Sequence, residues 1–253
     1  MTGLLKKVYF CLKYSGMFST FLFTMFLFLS GFCLCQQKTI EPDCGLKVSY
    51  YNLSHRVAFQ PRKLIVPAGL IVTGTALNFK PIKSVKSNIV SVRNEYLPGF
   101  RIYVDDYLQF APIVAAYGMD LLGVPSKNDF INRSVILLKG ELAMAGITTL
   151  IKYTTQYNRP DHSNRHSFPS GHTAQAFVAA TFLSEEYKDR LPWIPYISYG
   201  VASSVGILRM ANNKHYLSDV LAGAGIGILT MKVAYWTHKY KWNNKKKEKY
   251  SEF

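Results

Sequence analysis

An all-α fold, a single bundle of about six helices that is membrane-associated or partly membrane-spanning, follows from three features of this 253-residue sequence. Its apolar segments are long, carry helical spacing and end at Gly, Pro or Asn. Strand-period alternation of any length is missing. Internal repeats and low-complexity blocks are missing too, and the length suits one good-sized core.

The first 35 residues stand apart. Lys6, Lys7 and Lys13, with no acid among them, precede the apolar stretch Met17 to Cys35. That pattern reads as a signal peptide or an uncleaved N-terminal anchor, with the N-terminus in the cytoplasm. Three of the four cysteines (Cys11, Cys33 and Cys35) lie there, so Cys44 alone would remain after cleavage and no disulfide framework is expected. Residues 36–240 read as the helical domain and 241–253 as a basic tail.

Within the domain, Gln36 to Lys63 is polar and has no clear period. Helices are predicted at Leu64–Phe79, Tyr107–Val124, Arg133–Tyr153, Gly171–Tyr187, Trp193–Met210 and Ser218–Tyr240, with Lys80 to Phe100 as loop or short helix. Uncharged runs reach 16 residues at Leu64–Phe79, 13 at Tyr107–Met119 and 18 at Leu191–Leu208, against the ~20 a membrane span wants. If a leader with a cytoplasmic N-terminus is followed by six crossings, Lys152 falls on the cytoplasmic side. A site outside requires that one early segment not cross, or that the bundle lie wholly in the periplasm. Leu64–Phe79, short and carrying Pro67, Gly69 and Gly74, is the candidate for a non-crossing helix.

The formal charge is +15, the hydrophobic share 49% and the mean hydropathy +0.04. A basic balance favours an anionic partner, whether phospholipid surface or phosphorylated substrate. Nothing in the sequence resembles a nucleic-acid-binding module, so no nucleic acid is expected. Oligomeric state is left open.

Three short stretches in the second half carry the chemistry. The first runs from Lys152 to Arg159-Pro160, the second is Phe168-Pro169-Ser170-Gly171-His172, and the third runs from Arg209 through His215 to Asp219. Phosphoryl transfer needs neutralised equatorial oxygens, an in-line nucleophile and a proton for the leaving oxygen. Arg159 and Arg209 offer planar forks that match phosphate, and Lys152 adds a point charge. Ser170 and Gly171 sit where a helix begins, and a helix start exposes unpaired amides suited to phosphate. His172 in the first turn is the candidate acid. His215 and Asp219, four apart, share one face if helical, which makes His215 a candidate nucleophile and Asp219 its orienter. Taken singly, Pro-Ser-Gly is equally an ordinary helix-entry turn and His–Asp a structural pair. His162 and His166 flank Arg165 without a carboxylate or cysteine at ligand spacing, and are read as lining the mouth of the site. Asp105 and Asp106 are read as favourable first-turn charges.

In that order, Lys-x(6)-Arg-Pro, Pro-Ser-Gly-His and Arg-x(5)-His-x(3)-Asp resemble the signature of the type 2 phosphatidic acid phosphatase and vanadium haloperoxidase superfamily. The resemblance implies a phosphatase that uses a phosphohistidine and needs no metal or other cofactor. In it Lys152, Arg159, Ser170, Gly171 and Arg209 bind phosphate, His172 is the acid, His215 attacks and Asp219 supports it. One departure is Leu208, where the family usually has serine. Only eight residues join Pro160 to Pro169, which leaves little room for a cap over the site.

The expectation is a hydrolase of lipid phosphates in a bacterial cell envelope, associated with the inner membrane and facing the periplasm. Phosphatidic acid, phosphatidylglycerophosphate, an isoprenyl pyrophosphate and lipid A phosphate are the candidate substrates, and the membrane surface is the expected partner. A soluble periplasmic acid phosphatase, a vanadate-dependent haloperoxidase and a non-enzymatic lipid-binding protein are the alternatives. The last would leave buried charge unused, at a cost.

Overall fold

The computed structural model describes residues 60–79 and 83–239, all within one compact unit, Leu53–Phe253. The leader, the first part of the polar stretch and the basic tail lie outside the described residues. A 3₁₀ turn at Pro61–Leu64 leads into eight α-helices, and no strand occurs among the described residues. The helices are α1 (Ile65–Ala76), α2 (Lys83–Tyr96), α3 (Val104–Leu108), α4 (Ala111–Leu121), α5 (Phe130–Thr155), α6 (Gly171–Tyr187), α7 (Ile194–Ala211) and α8 (Leu217–Trp236).

The predicted all-α bundle is present, with three differences. The segment predicted at Tyr107–Val124 is two helices, α3 and α4. Pro112 has no N–H to return to the carbonyl of Leu108, so the chain turns at Gln109–Phe110 and restarts with proline in the first turn. The segment Lys80 to Phe100 contains the 14-residue α2. Its apolar residues are few and its outward polar residues many, which hides the helix from a hydropathy reading. The third difference concerns α1.

Six helices form an up-and-down bundle. α6 and α8 are its centre, buried along most of their length. One face of α6 (Ala174, Val178, Phe182) packs with Ile136 and Met144 of α5 and Ile226 and Met231 of α8. Its other face (Ala176, Phe177, Ala180) packs with Ala202 and Val205 of α7 and Ala224 and Ile228 of α8. Small residues set these spacings. A Cβ on Gly223 of α8 would stand 2.6 Å from the Ser170 carbonyl, and one on Gly225 would stand 2.6 Å from that of Pro67. α1 therefore lies along α8 as a full member of the bundle. Its Gly74 is a contact with the first turns of α8, close to Ala222 and Ser218, and the α-helix is shorter than the predicted Leu64–Phe79, running from Ile65 to Ala76.

The two ends of the bundle differ. At one end Glu186 accepts from Tyr235 Oη (2.6 Å), Asn128 Nδ2 (2.7 Å) and Asn128 N (2.9 Å). Nearby the buried Arg133 pairs with Asp120 at 2.7 Å and stacks on Tyr117. Asp129 caps α5 by accepting from Asn132 N. The C-termini of α5 and α7 and the N-termini of α6 and α8 meet at the other end, and these carry the three sequence stretches. Residue 60 and residue 239 both lie at the end away from them.

Candidate functional site

Each of the three stretches is a helix terminus. Lys152 ends α5, and Gln156, in the left-handed region at φ 47°, turns the chain out of the helix. The loop to Pro169 follows, with a cis Phe168–Pro169 peptide. Ser170 caps α6: its hydroxyl accepts from Thr173 N, and Thr173 Oγ1 adds a second bond at 2.9 Å. Arg209 stands in the last turn of α7, and His215 precedes α8.

The loops are stitched together by backbone. Lys152 Nζ donates to the His166 carbonyl at 3.2 Å and lies beside Gly171. Ser170 N donates to the Asp219 carbonyl at 2.9 Å, which locks the start of α6 to the start of α8. Arg159 feels the charge of Arg209, and His215 that of Lys152 and Arg159. All eight sequence-predicted residues (Lys152, Arg159, Ser170, Gly171, His172, Arg209, His215 and Asp219) are thus gathered at one end of the bundle. Two guanidinium groups there, those of Arg159 and Arg209, each keep a buried Nε–H with no hydrogen-bond partner among the described residues. Burial of a charged donor without a partner is costly, and an anion would relieve it at both.

His215 is only 2% exposed and Asp219 fully buried. His215 Nδ1 lies 2.8 Å from the Ser167 carbonyl and 3.5 Å from Asp219 Oδ2. A carbonyl can only accept, so Nδ1 carries the proton and Nε2 keeps its lone pair. The Asp219 carboxylate is itself held by the Ser167 hydroxyl, by Ser218 Oγ at 3.0 Å and by Tyr216 N at 3.0 Å. Burial pulls the His215 pKa down to about 4, helped by Lys152 and Arg159 and opposed by Asp219. The imidazole is therefore neutral near pH 7.

This corrects the expected geometry in one respect. His215 and Asp219 do not share a helix face, because His215 lies before the first turn of α8. Asp219 reaches back from the third position of that helix to the Tyr216 amide, which brings its carboxylate beside the imidazole. Direct orientation of His215 falls to the Ser167 carbonyl.

The sequence reading missed Ser167, Asp105, Asp106 and Asn212. Asp105 and Asp106 belong to α3 and do more than charge a first turn. Asp105, fully buried, pairs with Arg209 Nη1 at 2.8 Å and accepts from Asn212 Nδ2 at 3.1 Å. Asp106 Oδ1 lies 2.9 Å from His172 Nε2. Burial and Arg209 lower the His172 pKa, while Asp106 and Asp105 raise it. Such pairs, about a hundred residues apart at the widest, leave no local signal; a double Asp beside a helix start was the only trace. An open pocket beside Arg209 is lined by Arg101, Tyr103, Asp105, Asp106, Asn212 and Lys214.

His162 and Arg165 are exposed in the loop, while His166 is half-buried against Tyr153 with ring centroids 5.1 Å apart. Lys214 ties this loop down through Asp161 at 2.6 Å.

Comparison with known proteins adds an independent line. A family model described as the PAP2 superfamily matches residues 135–243. Over 167 residues the chain is 35% identical to the lipid A 1-phosphatase of Porphyromonas gingivalis, covering 66% of this chain and 37% of that protein. It is 35% identical over 77 residues to the bacitracin transport permease protein BcrC of Bacillus licheniformis, covering 30% of this chain and 36% of that one. The chain thus spans little more than a third of the length of these curated relatives. The crystal structure of Aquifex aeolicus LpxE aligns with a TM-score of 0.45 at 21% identity, over 62% of this chain and 96% of that one. The matched region contains all three stretches in their order, and it is through residues 135–243 that the chain is similar to the PAP2 superfamily.

Proposed function

We propose that this chain is a phosphatase of lipid phosphates, working through a phosphohistidine at His215 without a metal. The observation that carries the proposal is the fixed tautomer of His215. Its Nδ1 is committed to the Ser167 carbonyl, and its neutral Nε2 belongs to the same helix-end cluster as Lys152, Arg159, Ser170 and Arg209. In the first step Nε2 attacks phosphorus, the ester P–O bond breaks, and His172 gives its proton to the departing oxygen. In the second, His172 takes a proton from water, which attacks phosphorus and releases His215. Arg159, Arg209, Lys152 and the first amides of α6 neutralise the equatorial oxygens.

The surface of the bundle favours a lipid substrate. α5 exposes Phe130, Ile131, Leu138, Leu142, Ile147, Leu150 and Tyr153 from its first turn to its last, over about 35 Å, long enough to cross a bilayer's hydrocarbon core. α5 and α8 are both long and apolar enough to span a membrane. Lys152 and the rest of the site lie at the Tyr153 end, at the height of the headgroups. Phosphatidic acid, phosphatidylglycerophosphate, isoprenyl pyrophosphate and lipid A phosphate fit this placement.

The site then faces the periplasm if the opposite end is cytoplasmic. Supporting this, the chain leaves the bundle there at Lys239, and Lys241, Lys245, Lys246, Lys247 and Lys249 follow in sequence. Three helices that run the bundle's length separate residue 60 from Lys152. The orientation therefore requires an even number of crossings, zero included, before residue 60. An exported and cleaved leader and six crossing helices exclude each other if the site is outside.

The test is phosphate release by the purified protein, with chelator present, from lipid phosphates and from p-nitrophenyl phosphate. Chelator-resistant release that is abolished in His215→Ala supports the proposal. Release that needs a metal, or persists in the variant, rejects it.

A further inference from the structure

The helix α2 is divided into three arcs. Lys86, Val90 and Arg93, with Leu97 just beyond, are half-buried and face the bundle. Val85, Ile89, Val92 and Tyr96 recur at helical spacing on a second arc and are exposed, Tyr96 to 69%. Ser87, Ser91 and Asn94 recur on a third, opposite the apolar one, and are exposed as well. In an ordinary surface helix the apolar arc would turn inward and the cations outward. Here two cations, Lys86 and Arg93, are among the inward residues.

They bind α2 to the reaction end. Lys86 Nζ stands 3.8 Å from the centre of the Tyr216 ring and 5.3 Å from that of Tyr157, flanking His215 and Arg159 in sequence. Arg93 Nε donates to the Ala211 carbonyl at 2.8 Å, just beyond Arg209, and Nη2 to the Phe100 carbonyl at 3.2 Å. The helix thus lies against both ends of the stretch that carries Arg209 and His215. The chain that follows keeps large apolar groups outward: Tyr103, Tyr107 and Phe110 are all exposed.

We propose that α2 lies in the plane of a lipid bilayer surface beside the site. Its Val85, Ile89, Val92 and Tyr96 arc sits in the acyl–headgroup boundary, and its Ser87, Ser91 and Asn94 arc remains in water. The occupant is lipid because the two exposed arcs are opposites: one side of the helix leaves water and the other stays in it, as at an interface. Tyr153, the last exposed apolar residue of α5, lies at the same end of the bundle. Net charge of +15 draws the chain to anionic headgroups. The proposal rests on the lipid-phosphatase reading and deepens it: by holding the site at headgroup height, α2 favours phosphate carried on a lipid over phosphate on a soluble ester.

The test uses the full chain in phosphatidylcholine–phosphatidylglycerol vesicles. Ile89→Trp and Ser91→Trp are compared with the parent protein using lipids brominated near the headgroup end of the acyl chain. The added fluorescence of Ile89→Trp is expected to be quenched, and that of Ser91→Trp spared. Equal quenching at both positions, or none at Ile89→Trp, overturns the proposal. Protection of Ile89→Trp through association with a second copy also overturns it. In a second arm, V85S/I89S/V92S is expected to lose about tenfold in kcat/KM on vesicle-held phosphatidic acid while its rate on p-nitrophenyl phosphate is kept. An equal fall on both substrates, or on neither, rejects the selective role. If the parent releases phosphate from nothing, the functional reading has failed, and the quenching still decides where α2 lies.

Discussion

Asp106 Oδ1 lies 2.9 Å from His172 Nε2 and 3.5 Å from Arg209 Nη1, joining the proposed acid to a phosphate-binding cation through one carboxylate from α3. The Asp106 charge favours protonated His172, against burial and the charge of Arg209, with Asp105 on the same side as Asp106. An asparagine in its place removes that support, so the imidazolium is lost at lower pH. For Asp106→Asn the basic limb of the kcat/KM profile is expected to move to lower pH, with a loss of about tenfold at pH 7. A profile scaled down without moving would mean the carboxylate has no hold on the proton.

Ser167 serves two partners with two atoms, its carbonyl holding His215 and its hydroxyl Asp219. Ser167→Ala keeps the carbonyl and removes the hydroxyl. It is expected to lower kcat by about tenfold with little change in KM, measured by steady-state phosphate release. An equal rise in KM would point to a disturbed phosphate cradle instead.

Asp105 is buried against Arg209 and Asn212. Asp105→Ala strands the guanidinium of Arg209 and should cost about 3 kcal/mol of stability. Thermal unfolding in detergent would read this as a clear drop in Tm, smaller in Asp105→Asn, which keeps a hydrogen-bonding oxygen.

His215 is held neutral with its pKa pulled down to about 4 from 6.5. The unfolded chain therefore binds a proton first as pH falls. The stability tied to the neutral ring is whole above about pH 6.5, declines below it and is lost as pH passes through about 4, an effect of about 3 kcal/mol. In His215→Gln this component of the acid destabilisation should vanish, as denaturant titrations at pH 7 and pH 4.5 would reveal.

Gly223 faces the Ser170 carbonyl, 2.6 Å from where a Cβ would stand. Gly223→Ala must push the start of α6 away from α8, at a cost of about 1–3 kcal/mol. Activity should fall further than stability does, because Ser170 and His172 move with that turn. Gly69, with open space around it, is the control.

The reactive groups were legible because each stretch packs its chemistry into a few consecutive residues at a helix end, where capping and polarity leave a local trace. Gly171–Tyr187 could be read to the residue, with Ser170 as the cap. What could not be read depends on the chain returning from afar. Asp105 meets Arg209 across 104 positions, and Ser167 meets Asp219 across 52. α2 was hidden for a different reason: with Lys86 and Arg93 inward and a narrow apolar arc outward, it matches neither a core helix nor a solvated one.

α8 touches α1, α5, α6 and α7, and its glycines leave no slack against α1 and α6. The proposed nucleophile thus stands immediately before the stator of the molecule. The carboxylate beside the proposed acid rides instead on α3, five residues long, which touches only α6 and α7 among the helices in substantial contact. Thermal motion at this end therefore falls unequally on the two histidines. Fluctuation detunes the proton donor long before it misaligns the attacking nitrogen, so a variant that loosens α3 should resemble a change in acidity more than a broken active site.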